Sequence, residues 1–227
     1  MTEYAQFCAL ARAAEILGER WTLLILRELY LGPKRFSDLS ARLKPVAPGI
    51  LNGRLRSLER HGVIARRNVG PPTPAGLYEL SESGRALEPA LFELLRWGAR
   101  YLFPQRPGER FEPEWLVMVL RAYLRGGPTP NHLIALRIEG FASPVAWIHG
   151  GEAGTEVALF GEGEDATVEA SVGGVLGLMS SRLPFEDAVA SDTARVTGSM
   201  EAARAFPSYF LAAGEAPTGG TLESASP

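Results

Sequence analysis

The stretch between residues 35 and 87 constrains this chain more than any other. It reads RFSDLSARL, KPVAPGILNGRLRSLERHGVIARR, NVGPPTPAG and LYELSESGRAL. Apolar residues at helical spacing predict a short helix over about 36–43 that buries Phe36, Leu39 and Leu43, and a second over about 48–61. Pro48 suits the first turn of that second helix, where a missing N–H costs nothing. Gly62 ends it. Two strands follow, at about 63–67 and 77–80, joined by a loop rich in proline and glycine. A helix–turn–helix of this kind lays its second helix in a DNA major groove, with the hairpin beside it on the backbone.

On a helical projection Leu51, Leu55 and Leu58 share one side. Gly49, Asn52, Gly53, Arg56 and Arg60 lie on the other. Asn pairs with adenine and Arg with guanine through two hydrogen bonds, each pairing worth about 1–3 kcal/mol of discrimination. The two glycines let the helix approach the groove floor. Arg54 on the flank is a candidate phosphate contact. Lys34, Arg35 and Ser37, around the start of the preceding helix, are placed for the DNA backbone. Arg66 and Arg67 sit on the first hairpin strand, where alternation sends them to opposite faces. An arginine-bearing helix standing alone would be read as a solvated face. Two helices, a turn, a hairpin and a positive balance together favour double-stranded DNA.

Charge divides the chain. Residues 1–103 hold 15 Lys+Arg and 10 Asp+Glu, a balance of +5, while residues 104–227 hold 8 and 16, a balance of −8. That split suggests two units with different partners. The boundary is expected in FPQRPGERFEP, with three prolines and a glycine. The reading is a DNA-binding and dimerisation domain over 1–103, a linker over 104–112, an α+β domain over 113–213 and a disordered tail over 214–227. No apolar run approaches the roughly 18 residues a membrane span needs. The opening MTEYAQF lacks the apolar core of a signal peptide. The only cysteine, Cys8, excludes an internal disulfide framework, and a cytoplasmic protein is expected.

Other helices are expected in the first domain over about 4–18, over about 20–30 with Trp21, Leu24, Ile25 and Leu29 on one stripe, and over about 82–102, capped by Ser81. This last helix carries Leu87, Ala90, Leu91, Leu94, Leu95, Trp97, Gly98, Tyr101 and Leu102 across nearly half its circumference. So wide a stripe asks for a second subunit; packing on the same chain's second domain is the alternative.

This half resembles the HxlR-type winged-helix regulators. The matching pieces are Cys8, LGERWTLLILREL, GPKRFSDLSARL, PGILNGRLRSLERHG and LYELSESGRAL, over about residues 7–102. The resemblance implies a homodimer joined through its first and last helices, with one recognition helix per subunit in successive major grooves of a near-palindromic operator. Gly53 departs from the family, which often has a polar residue there. Cys8 matches a position that senses oxidants or electrophiles in some members. Arg12, one turn on, would favour its thiolate; the alternative is a small buried core residue.

The second half predicts a helix over about 113–124, strands over about 132–139, 144–149, 155–160 and 166–172, short helices over about 174–181 and 184–191, a strand over 194–197 and a helix over 200–213. This is an α+β layer with a mostly antiparallel sheet. The run from Asp165 through Gly198 to the final helix resembles the sterol carrier protein type 2 fold, whose members carry lipids in an apolar cavity. That implies a pocket lined by Val175, Leu176, Leu178, Met179, Leu183, Phe185, Val189, Phe206, Tyr209 and Phe210, for an apolar small-molecule effector; the alternative is that these residues fill a core. His61, His132 and His149 lack metal-ligand spacing. No nucleophile elbow or phosphate loop appears, so neither catalysis nor a cofactor is expected. The leading reading is a ligand-responsive transcriptional regulator. The competing one is a small-molecule or lipid-binding protein whose winged helix serves only as a scaffold.

Overall fold

Helix formation begins later than the apolar spacing suggests. In the computed structural model, which describes residues 3–68 and 76–211, the first helix, α1, spans Ala9–Leu17 rather than starting near residue 4. Ala5 takes a positive φ, and the Tyr4 amide donates to the Glu15 carboxylate at 2.8 Å. The leading segment therefore folds back along the helix instead of extending it. That amide, with the Arg12 guanidinium at 3.0 Å, holds the Glu15 carboxyl below its ordinary range. The loop 69–75 and the tail expected over 214–227 lie outside the described residues. The chain divides into two compact units, Met1–Pro104 and Gln105–Pro227.

In the first unit, α1 is followed by α2 (Thr22–Tyr30), β1 (Lys34–Arg35), α3 (Phe36–Arg42), α4 (Pro48–Arg60), β2 (Ile64–Asn68), β3 (Gly76–Leu80), α5 (Glu82–Arg85) and α6 (Glu88–Gly98). Trp21 sits in the left-handed region, so α2 starts at Thr22. That start shifts the expected stripe. Thr22, Ile25, Leu26, Glu28 and Leu29 are buried, and Leu24 is exposed. The three-stranded sheet has the order β1-β3-β2 and is antiparallel throughout. Its two-residue strand β1 was too short to leave a periodic signal.

One cluster fills this unit: Ile25, Leu26 and Leu29 of α2, Leu39 and Leu43 around α3, Leu51, Leu55 and Leu58 of α4, and Val63, Ile64, Tyr78 and Leu80 of the hairpin. Gly62, at φ +68, stops α4. The Val63 amide reaches back to Leu58 O and the Gly62 amide to Glu59 O, both at 3.0 Å, which satisfies the last carbonyls of the helix. Ser81 Oγ lies 2.5 Å from Gly62 O and accepts from the Gly84 amide at 3.1 Å, capping α5. Gly84 packs so close that a Cβ there would sit 2.1 Å from Val63 O. The long helix expected after Ser81 is broken between α5 and α6. Pro89 in the first turn of α6 has no N–H to continue the ladder, and Tyr30 Oη donates to Gly84 O at 2.5 Å.

The second unit contains α7 (Trp115–Ala122), β4 (Leu133–Ile138), β5 (Ala146–His149), β6 (Glu156–Ala158), β7 (Ala166–Ala170), α8 (Val172–Met179), α9 (Phe185–Ala190), β8 (Ala194–Gly198) and α10 (Met200–Arg204). Its sheet has the order β6-β5-β4-β7-β8, and only β4–β7 is parallel. The fold is α+β with a mostly antiparallel sheet, as the pattern predicts. The register aligns Ile134, Leu136, Ile148, Val157, Ala166 and Val168 on one apolar face, all buried. Arg137, Glu169 and Arg195 share the other. The Asp165 carboxylate accepts the Leu133 amide at 2.8 Å. The single helix expected over 200–213 ends at Arg204. Pro207 sits in a 3-10 turn, Phe206–Tyr209, and Phe210 then bridges to Leu124 as extended chain.

Each unit holds a tyrosine whose hydroxyl meets a carbonyl: half-buried Tyr30 on Gly84, and buried Tyr209 on Pro130 at 3.1 Å. Burial pushes both phenols up to about 12, with a smaller push from the Glu88 and Asp165 carboxylates respectively. Folding thus favours the protonated phenols. Their contribution is intact below a pH of about 10, where unfolded tyrosine is still protonated, and is lost as pH rises through about 12. Denaturant melts between pH 8 and 12 should show that fall, with a smaller one in Tyr30→Phe. An identical alkaline profile in Tyr30→Phe and Tyr209→Phe would show that other groups cause it.

Candidate nucleic-acid interface

The reading surface is held from beneath by a buried charge. The Glu28 side chain is 0% exposed. Arg27 reaches it at 2.8 Å and Arg42, from the end of α3, at 2.5 Å. Removing a carboxylate from water costs several kcal/mol unless cations and hydrogen bonds meet it, so this pairing fixes α3 against α2. Asp38 then caps α3, accepting the Arg35 amide at 2.9 Å. From α3 the chain turns through Val46 into α4, which rests on the same core through Leu51, Leu55 and Leu58.

The opposite side of α4 faces outward. Gly49, Gly53, Arg56 and Arg60 are exposed and Asn52 is half-buried. A Cβ at Gly49 or Gly53 would meet nothing within 4 Å. Among the described residues, Arg56 and Arg60 enter no ion pair. Arg54 does: Glu19, in the corner between α1 and α2, holds it at 2.9 Å. Arg35 and Ser37 are exposed at the start of α3, with Ser37 Oγ 3.3 Å from the Asp38 carboxylate, and Lys34 Nζ donates to Gly32 O at 3.2 Å. On the hairpin, the Arg66 guanidinium lies 5.8 Å from the Tyr78 ring centre, while Arg67 pairs with Glu79 at 3.3 Å on the other face. Sequence reasoning missed Glu28, Glu19 and Asp38. A lone acid inside TLLILRELY was the available signal for Glu28, but nothing in the sequence named Arg42 as its partner.

Cys8 is exposed in the single chain, at the N-cap of α1, and is not part of the first unit's core cluster. Arg12 is occupied by Glu15. Of the residues grouped as an apolar pocket, Val175, Leu178, Met179, Phe185, Phe206, Tyr209 and Phe210 are buried in the core of the second unit. Leu176, Leu183 and Val189 are half-buried. Among the described residues no cluster of His, Cys, Asp and Glu is arranged to hold a metal ion, and no helix is long and apolar enough to cross a membrane.

The model of the HxlR-like helix-turn-helix family matches residues 16–106. The HTH-type transcriptional regulator YvaP of Bacillus subtilis is 38% identical over 94 residues, which are 41% of this chain and 86% of that protein. This chain belongs to the HxlR-like family. Rv3095, an HTH-type transcriptional regulator of Mycobacterium tuberculosis, is 42% identical over 94 residues, 41% of this chain and 59% of its own length. The solved structure of the HTH-type regulator YtcD is 36% identical and covers 42% of this chain and 98% of its own, with a TM-score of 0.40. The HxlR-like match contains α2, α3, α4 and the hairpin, the elements that carry the exposed arginines. Glu28→Gln should destabilise the first unit by about 3–5 kcal/mol, because Arg42 keeps its charge and loses its partner. Chemical denaturation followed by far-ultraviolet circular dichroism measures this, and a loss under about 1 kcal/mol would remove Glu28 from its structural role.

Proposed function

We propose that this HxlR-like regulator acts as a homodimer on a near-palindromic operator, with α4 of each subunit in successive major grooves. Supporting this most directly are Arg56 and Arg60, which point away from the leucine core and enter no ion pair among the described residues. Asn52 and Arg56 read bases. Arg35, Ser37 and one hairpin arginine hold phosphates. Arg54 is released to phosphate only by giving up Glu19. Exposed apolar side chains favour the dimer: Phe7 just before α1, Leu10 on α1, Leu94 and Trp97 on α6, and Tyr101 in the turn that follows it. In titrations of a randomly sequenced duplex and of a duplex selected by the protein, Arg56→Ala should weaken the selected one by about 1–3 kcal/mol. Arg35→Ala should weaken both and lower the salt slope by about 1. Trp97→Glu should sediment as a monomer and lose operator affinity. Affinity independent of salt would end the DNA reading.

The second unit, on this proposal, is a sterol-carrier-like module that binds an apolar small molecule. Leu176, Leu183 and Val189, half-buried on or next to α8 and α9, favour it, and α8 packs against the Phe206–Tyr209 turn. Binding changes operator affinity only through a difference in affinity between two states of the protein. A thermal-shift screen of fatty acids, sterols and aromatic acids, followed by operator titration, tests this. Hits are expected to raise Tm and change operator affinity together. Hits that raise Tm alone would make the second unit a binding module without control over DNA.

A further inference from the structure

Ile50 is the third residue of α4 and is 50% exposed. No other large apolar side chain of α3, α4 or the described hairpin strands is exposed. Nothing in the core explains it, because Leu51, Leu55 and Leu58 already supply the buried side. Its immediate surroundings are bare. Gly49 precedes it, Gly53 follows one turn later, and both face open space. A β-branched side chain with few rotamers thus stands proud of a glycine floor at the N-terminal end of the helix. That end of a recognition helix is the one that meets base edges. The apolar group a major groove offers there is the C5-methyl of thymine.

We propose that Ile50 is a specificity-determining residue that packs against a thymine C5-methyl on the flank of α4 it shares with Arg54 one turn on, at the edge of the bases read by Asn52 and Arg56. This rests on α4 being the recognition helix. The glycines on either side serve the same contact, since a side chain at Gly49 or Gly53 would hold the duplex away from Ile50. The interaction is apolar and short-ranged, so it changes preference among sequences and leaves the salt dependence untouched.

The test begins with a randomised duplex pool enriched on the full-length protein. Each thymine of the enriched site is then replaced by deoxyuridine, which removes the methyl and nothing else. Wild type should lose about three- to fivefold in affinity at one thymine per half-site, the size expected for burying one methyl. Ile50→Ala should lose a similar factor on the thymine duplex and bind both duplexes equally, while Ile50→Val keeps the discrimination. Thermal melts matching wild type establish that the variants fold. Wild type binding the deoxyuridine duplexes as tightly as the thymine ones, or Ile50→Ala still preferring thymine, would overturn the assignment while leaving α4 a DNA-reading helix. A pool that fails to enrich any sequence would overturn the DNA reading itself.

Discussion

A single carboxylate with no access to water organises the first unit. Glu28 lies on the buried side of α2 and meets Arg42 at the end of α3. An apolar residue of similar size would pack there at less cost in desolvation, and often with more stability. What the charge adds is direction. A carboxylate hydrogen-bonded to a guanidinium constrains direction as well as distance. Everything that faces outward depends on that direction, because α3 leads within a few residues to α4, and α4 carries Ile50, Asn52, Arg56 and Arg60.

The same economy appears at the edges of the unit. Arginines that serve structure are matched with acids: Arg42 with Glu28, Arg54 with Glu19, Arg67 with Glu79. Arg56 and Arg60 are not matched among the described residues. An unpaired surface arginine is cheap when water solvates it, so pairing is a choice of the fold rather than a necessity. The division sorts the positive charge into cations that hold helices together and cations that remain available to a polyanion. Net charge alone, at +5 for residues 1–103, cannot make that separation.

Much of this was legible in the sequence, and the exceptions have physical causes. Leu51, Leu55 and Leu58 fell into place because a 3.6-residue period admits one buried face. Pro48 and Gly62 marked the ends of α4 because backbone sterics leave few alternatives there. Leu24 failed because the buried stripe of α2 is Thr22, Ile25, Leu26 and Leu29, and Trp21, counted in the expected stripe, lies outside the helix in a left-handed conformation. The break before α6 was foreshadowed only by Pro89, and β1 by nothing, since two residues carry no period. Glu28 and Arg42 are fourteen residues apart, and their meeting is a property of the folded chain. In the second unit spacing alone does not separate a lined cavity from a filled core around Phe206 and Tyr209, so the sequence admits both; most of those side chains are buried.

The joint at Ser81 and Gly84 bears on what the shared motif in LYELSESGRAL reports. Ser81 Oγ sits against Gly62 O and caps Gly84, and Gly84 lies against Val63 O with no room for a Cβ. The serine is therefore demanded by backbone groups its hydroxyl satisfies, and the glycine by backbone meeting backbone, with no reference to any base. Chains that share this signature share a way of closing the hairpin onto the helices. They need not share a target, and inheritance of the motif says nothing about which promoter each one visits. Divergence in what is bound can proceed on the far side of α4 while the signature stays fixed.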